Sequence, residues 1–270
     1  MVHYTRMFLS SLSVEIRQKL TYRFDLLLEL AVTLFARAFL GFLIWSAIFE
    51  QNNLTELNGL SLSDLMVYYL LAALVDSFTS FRMGFIADEV YAGRLTKFLI
   101  IPMPFGLFKF AAAIAENLVP LIQIVLVYCI VWPILGAELS TPLEASSLLI
   151  GLGACCCAFL LNFALHMTIE LCSFWVDKVW SLLIMVHLTA QFLGGLLLPL
   201  EAFPSWAQAT LKLLPFYYLV GFPVNALMGR LTTTDYLSGI AIALCWALTI
   251  AFVARSVWRR GIVQYGAVGI

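Results

Sequence analysis

Apolar runs of bilayer length recur along this chain, and no other feature restricts its possible folds as much. A membrane hydrocarbon core is about 30 Å thick and takes about 20 apolar residues per helix. Six segments meet that length, at roughly 26–49, 65–87, 106–135, 145–171, 179–199 and 236–257. In hydrocarbon every backbone N–H and C=O must find a partner inside the protein, so runs this long form helices. The expected fold class is therefore all-α, a polytopic membrane protein with six transmembrane helices. Composition agrees: 63% of the residues are hydrophobic and 11% charged, whereas a soluble domain averages about 45–50% and 25%. A net charge of -1 supplies no basic field, so electrostatics give no support to a nucleic-acid partner.

The distribution of basic residues sets the orientation. Arg6, Arg17, Lys19, Arg23, Arg82, Arg94, Lys97, Lys109, Lys178, Arg255, Arg259 and Arg260 fall on one side of the spans, and Lys212 and Arg230 on the other. By the positive-inside rule, both termini are expected in the cytoplasm. The first twenty residues lack a continuous apolar core, so no cleavable signal peptide is expected. Leu9, Leu12, Ile16 and Leu20 recur at spacings of three and four, which predicts an interfacial amphipathic helix over 1–24. A plain extension of the first span fits the same residues. The body of the protein then covers 25–260, with a cytoplasmic tail at 261–270. Cys129, Cys155, Cys156, Cys157, Cys172 and Cys245 all fall in apolar runs. Three are consecutive and cannot aim at one site along a helix, so all read as small apolar fillers with no metal or disulfide role.

Two connections stand out. The elbow DEVYAGRLTKFLIIPMP, 88–104, puts a charged helical turn before Gly93, which suits a helix C-cap, and ends at Pro102 and Pro104. It reads either as an ordinary basic interhelical loop or as a knob for a soluble partner. The stretch GGLLLPLEAFPSWAQATLKLLPFYYLVGFPVNALMGR, 194–230, stays apolar, yet Pro199, Pro204, Pro215 and Pro223 break it. A re-entrant hairpin over 196–230 on the outer side fits, since irregular backbone at membrane depth must be covered by protein or line a wet cavity.

Polar groups inside spans are costly and usually face the bundle interior. Asn162, His166, Glu170, Ser173 and Asp177 share one helical face, and His187 and Gln191 repeat the spacing. These faces either hydrogen-bond between helices or, with Glu116, border an entry for a cationic or amphipathic substrate. Glu29 and Arg37 read as structural pairs, and Arg82 as a snorkelling residue or a partner of Glu116. Trp45, Trp132, Trp175, Trp180, Trp206 and Trp258 fall near span ends, as an interfacial belt requires.

Taken in order, these motifs resemble an ABC-type transporter permease of the second exporter class. The residues that carry the resemblance are Glu89, Gly93, Leu95 and Pro102, then Gly195, Pro199, Leu200, Pro204 and Trp206, then Leu214, Pro215 and Phe216. The tail WRRGIVQYGAVGI, 258–270, is similar to that of the viologen and drug exporter subgroup. The resemblance implies a bacterial inner-membrane permease that forms half of a pore with an identical or related second permease, among membrane lipids. It also implies a separate ABC ATPase subunit that binds ATP and Mg. This chain has no G-x-x-x-x-G-K-[ST] phosphate loop, so no cofactor and no enzymatic activity are expected of it. The resemblance makes Asp88, Glu89, Tyr91, Gly93 and Arg94 the expected ATPase-coupling residues. Glu116, Asn162, His166, Glu170, His187 and Gln191 become candidates for the substrate pathway. Gly195, Pro199, Pro204, Trp206, Pro215 and Phe216 become candidates for an outer gate. The expected cargo of such a multidrug-efflux dimer is drug-like, cationic, amphipathic or lipidic.

Other classes fit less well. An intramembrane enzyme would need paired catalytic groups, and neither H-E-x-x-H nor G-x-S-x-G occurs. A proton-coupled secondary transporter could relay protons through His166 and Glu170, although no inverted repeat is visible. A non-transporting scaffold leaves the cost of the buried polar groups unexplained.

Overall fold

The computed structural model describes residues 13, 23–53, 56, 59–84, 86–135, 145–176 and 179–265. Most of the expected interfacial helix, residues 266–270 of the tail, Asp177, Lys178 and the side chains of Glu29 and Arg37 lie outside what is described. Among the described residues the fold is helical, with no strand. Helix α1 covers Arg23–Asn52 and α2 covers Leu62–Thr79. Two short helices follow, α3 at Ala87–Tyr91 and α4 at Thr96–Leu99. Next come α5 at Phe105–Leu135 and α6 at Ala145–Glu170, which runs on into a 3-10 turn at Leu171–Phe174. Then α7 is Trp180–Leu193, α8 Ser205–Leu211, α9 Gly221–Leu227 and α10 Thr233–Gln264.

Four of the described helices are long and apolar enough to cross a membrane: Leu62–Thr79, Phe105–Ile134, Ser146–Phe174 and Thr233–Gln264. Phe35, Leu149, Leu248 and Phe252 point large apolar side chains outward, a surface suited to lipid. The chain is thus a multi-pass membrane protein. Two helices end sooner than hydropathy suggests. Helix α2 stops at Thr79 rather than near 87, and Ser80 turns extended with its N–H bonded to Asp76 O at 2.8 Å. Helix α7 stops at Leu193, so its 14 residues rise about 21 Å, less than a bilayer core.

Local chemistry starts these helices. Ser61 caps α2 in a capping box with Asp64, and Thr232 caps α10 by accepting the Asp235 N–H at 3.1 Å. Packing among lipid tails favours close approach of backbones, which small residues permit. Helix α10 buries Gly239, Ala243, Ala247, Ala254 and Gly261 in one seam. Helix α6 buries Gly151, Ala154, Cys155 and Ala158, and it touches α2, α5, α9 and α10, which makes it the hub of the bundle. Cys155 is a buried filler there, while Cys156 is exposed and Cys157 intermediate.

The segment 196–230 folds into α8, α9 and two 3-10 turns, Leu200–Ala202 and Phe216–Leu219. All 7 residues of α9 are buried. Side chains of α2 and α10 pair backbone carbonyls ahead of α9. Tyr68 donates to Gly195 O at 2.7 Å, Tyr69 to Leu197 O at 2.9 Å and Trp246 Nε1 to Leu213 O at 3.0 Å. Gly221 N–H donates to Gly194 O at 2.7 Å.

Candidate functional site

The elbow begins where α2 ends. Asn162 Nδ2 donates to Thr79 O at 2.7 Å and satisfies a carbonyl that the finished helix leaves open. The chain then turns through Gly84, whose φ of 82° is left-handed and whose added Cβ would lie 2.6 Å from the Asp88 carboxylate. Helix α3 has no side-chain cap of its own, because Ile86 stands at the N-cap. A distant residue serves instead. Glu170, the last residue of α6 and 0% exposed, accepts the N–H of Gly84 at 2.9 Å, of Ala87 at 3.1 Å and of Ile86. Converging N–H groups at a helix start form an anion cradle, and a carboxylate occupies it here.

The other end of α3 closes as the sequence predicts. Gly93 has φ 66°, its N–H bonds Val90 O at 3.2 Å, and Arg94 N–H bonds Glu89 O at 3.0 Å. Those two bonds make a Schellman motif. Beneath the elbow Ile86, Val90, Leu95 and Phe98 pack with Phe105, Leu171 and Ala254. The end of α10 joins them: Trp258 stacks on Phe105 at 4.9 Å and meets Phe174 edge-on. Tyr91 donates to Val176 O at 2.6 Å.

The outward face of the elbow is charged. Asp88, Tyr91, Arg94 and Lys97 are exposed, while Glu89 is intermediate. Glu89 Oε2 lies 3.0 Å from Arg94 Nε and 3.2 Å from Lys97 Nζ. Partial burial works against the Glu89 charge, but hydrogen bonds from Arg94 and Lys97 outweigh it and hold the carboxyl below its usual range. Glu89 therefore stays ionised throughout the neutral range. The five expected coupling residues, Asp88, Glu89, Tyr91, Gly93 and Arg94, all sit on this one feature.

Of the expected pathway residues, Asn162, His166 and Glu170 gather at the junction of α2, α3 and α6. His166 Nδ1 is 3.4 Å from Glu170 Oε1, and its ring lies beside Phe81. His187 and Gln191 bond each other at 2.7 Å on α7, and Glu116 is half-buried on α5. Of the expected gate residues, Gly195, Pro199 and Pro215 are buried and Phe216 half-buried, while Pro204 and Trp206 are exposed. A cavity of about 530 Å³ opens beside this segment, lined among others by Glu201, Tyr217, Phe222, Asn225, Arg230 and Asp235. Asn225 Nδ2 donates to Glu201 Oε1 at 3.3 Å.

Sequence reasoning missed one buried ion pair. Arg230 Nη2 lies 3.0 Å from Oδ1 of Asp64, which is 0% exposed. The capping box S-x-x-D at 61–64 was readable, but its second partner was not.

No curated protein matches the chain. Residues 35–269 match the family described as ABC-2 family transporter protein. That match takes in the elbow, the hub helix and the segment 196–230 together. The chain belongs to the ABC-2 transporter family and is a permease-type membrane subunit of an ABC transporter, a family whose members work with an ABC ATPase.

Proposed function

We propose that this chain is half of the translocation pathway of an exporter in a bacterial inner membrane. It has six spans and cytoplasmic termini, and its elbow, 88–104, docks on the ATPase. ATP and Mg bind to that partner. A second permease, identical or related, completes the pore, and the cargo is a drug-like, cationic or amphipathic compound, as in the viologen and drug exporters. The segment 196–230 is the re-entrant outer hairpin, and the 530 Å³ cavity lies on the exit side.

The observation that carries this reading is the build of the elbow. A five-residue helix is too short to hold itself in water. Here it is capped at both ends, seated on an apolar base and faced with charge, which suits a docking knob better than a plain loop. The alternative, a proton-driven carrier, would route protons through His166 and Glu170. Three backbone donors on the Glu170 carboxylate speak for a structural duty there instead.

Charge reversal tests the docking face. The triple substitution Glu89→Lys with Arg94→Glu and Lys97→Glu keeps both local ion pairs and inverts the pattern offered to a partner. ATPase recovered with the purified chain should fall about tenfold or more, the scale seen when charges at an interface are mismatched. Unchanged recovery and unchanged ATP hydrolysis would remove the elbow from the interface.

A further inference from the structure

We propose that Glu170 is the positioning residue that delivers movement of the elbow to α6, and through α6 to the hairpin at 196–230. The inference rests on the coupling reading above. Helix α3 is held at both ends by one short stretch of chain: Glu170 takes the N–H groups of Gly84, Ile86 and Ala87 at its start, and Val176 O takes the Tyr91 hydroxyl at its finish. Between those points Leu171, 0% exposed, packs under Ile86 and Val90. A displacement of α3 must therefore drag residues 170–176 or break several buried hydrogen bonds together.

Residue 170 also terminates a stiff rod. Helix α6 has 26 residues, about 39 Å of continuous helix. Near its far end Gly151 lies against α9 so closely that an added Cβ would be 2.9 Å from the Leu227 Cα. Gly153 likewise approaches the Tyr236 hydroxyl of α10, where a Cβ would lie 2.7 Å away. One helix thus grips the elbow by a carboxylate at one end and meets the hairpin by direct backbone packing at the other. Packed contacts of this kind transmit shifts, because close-packed interiors do not absorb them.

The test uses the complex of this chain with its ATPase and compares the wild type with Glu170→Gln. Glutamine keeps the size of the side chain but turns an NH₂ donor toward backbone N–H donors. The readout is hydrogen–deuterium exchange of hairpin amides, 205–231, with and without ATP plus vanadate. In the wild type, nucleotide trapping should change hairpin exchange. In Glu170→Gln, compared with the wild type at equal amounts of bound ATPase, the hairpin response should be lost. A Glu170→Gln hairpin that responds like the wild type overturns the proposal. If the variant does not fold, the wild type still decides: the amides of Gly84, Ile86 and Ala87 must stay protected in both nucleotide states, and free exchange there overturns the latch. A wild-type chain that carries no ATPase is a different failure, that of the coupling reading itself.

Discussion

Replacing Asp64 with alanine should destabilise the protein by about 3–5 kcal/mol, the range found when one member of a buried ion pair is removed. Both Asp64 oxygens are engaged: Oδ2 takes the Ser61 N–H at 2.9 Å and its hydroxyl at 2.7 Å, and Oδ1 faces Arg230 at 3.0 Å. Alanine would remove the Asp64 half of the capping box, while Ser61 still accepts the N–H of residue 64, and would leave the Arg230 guanidinium buried without its carboxylate. Arg230 Nη1 and Nη2 are both buried with no hydrogen-bond partner among the described residues, Nη2 meeting Asp64 as an ion pair alone, so little is available to compensate. The double replacement Asp64→Leu with Arg230→Met removes both charges and should recover much of the loss, because no uncompensated ion remains. Thermal unfolding of the wild type, Asp64→Leu, Arg230→Met and the double variant in one detergent closes the cycle, with Asp64→Ala measured beside them. If Asp64→Ala unfolds at the wild-type temperature, the pair does not tie α2 to the segment leading into α10.

A second large effect is expected at Gly151. An added Cβ would sit 2.3 Å from Leu227 Cδ2, 2.5 Å from Cγ and 2.9 Å from Cα. A rotamer change relieves the first two contacts, but only movement of α9 relieves the third. Gly151→Ala should cost about 1–3 kcal/mol, the usual penalty for overpacking. Gly151→Leu should displace the hairpin altogether. Limited proteolysis checks this: the leucine variant should be cut within 205–231 much faster than the wild type, while the elbow keeps its resistance. Equal cleavage of the two proteins would mean that α6 and α9 are not in backbone contact.

How much of this was readable in advance depends on where each partner lies. The turn DEVYAG announced a helix stopped at Gly93, and the structure has a Schellman motif there, because capping is local chemistry. Hydropathy placed α5 and α6 nearly to the residue, since both are long and predominantly apolar. It ran α2 on to 87 and α7 to 199 for the same reason, being blind to what ends a helix inside an apolar run. Thr79 O is met by Asn162, and Gly195 turns at φ 92° with its carbonyl on Tyr68. Neither partner is near in sequence. The polar face of Asn162, His166 and Glu170 was visible as a pattern, but not what Glu170 holds. Its ligands are the backbone N–H groups of Gly84, Ile86 and Ala87, which any residue except proline supplies and which leave no mark on composition. The Asp64 and Arg230 pair was hidden in the same way, half of it legible as a cap and half of it brought in by the fold.

The chain should be purified by an affinity tag from its native membrane in mild detergent, and the proteins that stay bound identified by mass spectrometry and assayed for ATP hydrolysis. The expected result is a stoichiometric ATPase, with or without a second six-span permease, and loss of that ATPase when the elbow charges are reversed. A lone chain with no ATPase activity would contradict the assignment of the elbow as a docking knob and leave proton-driven transport as the stronger reading.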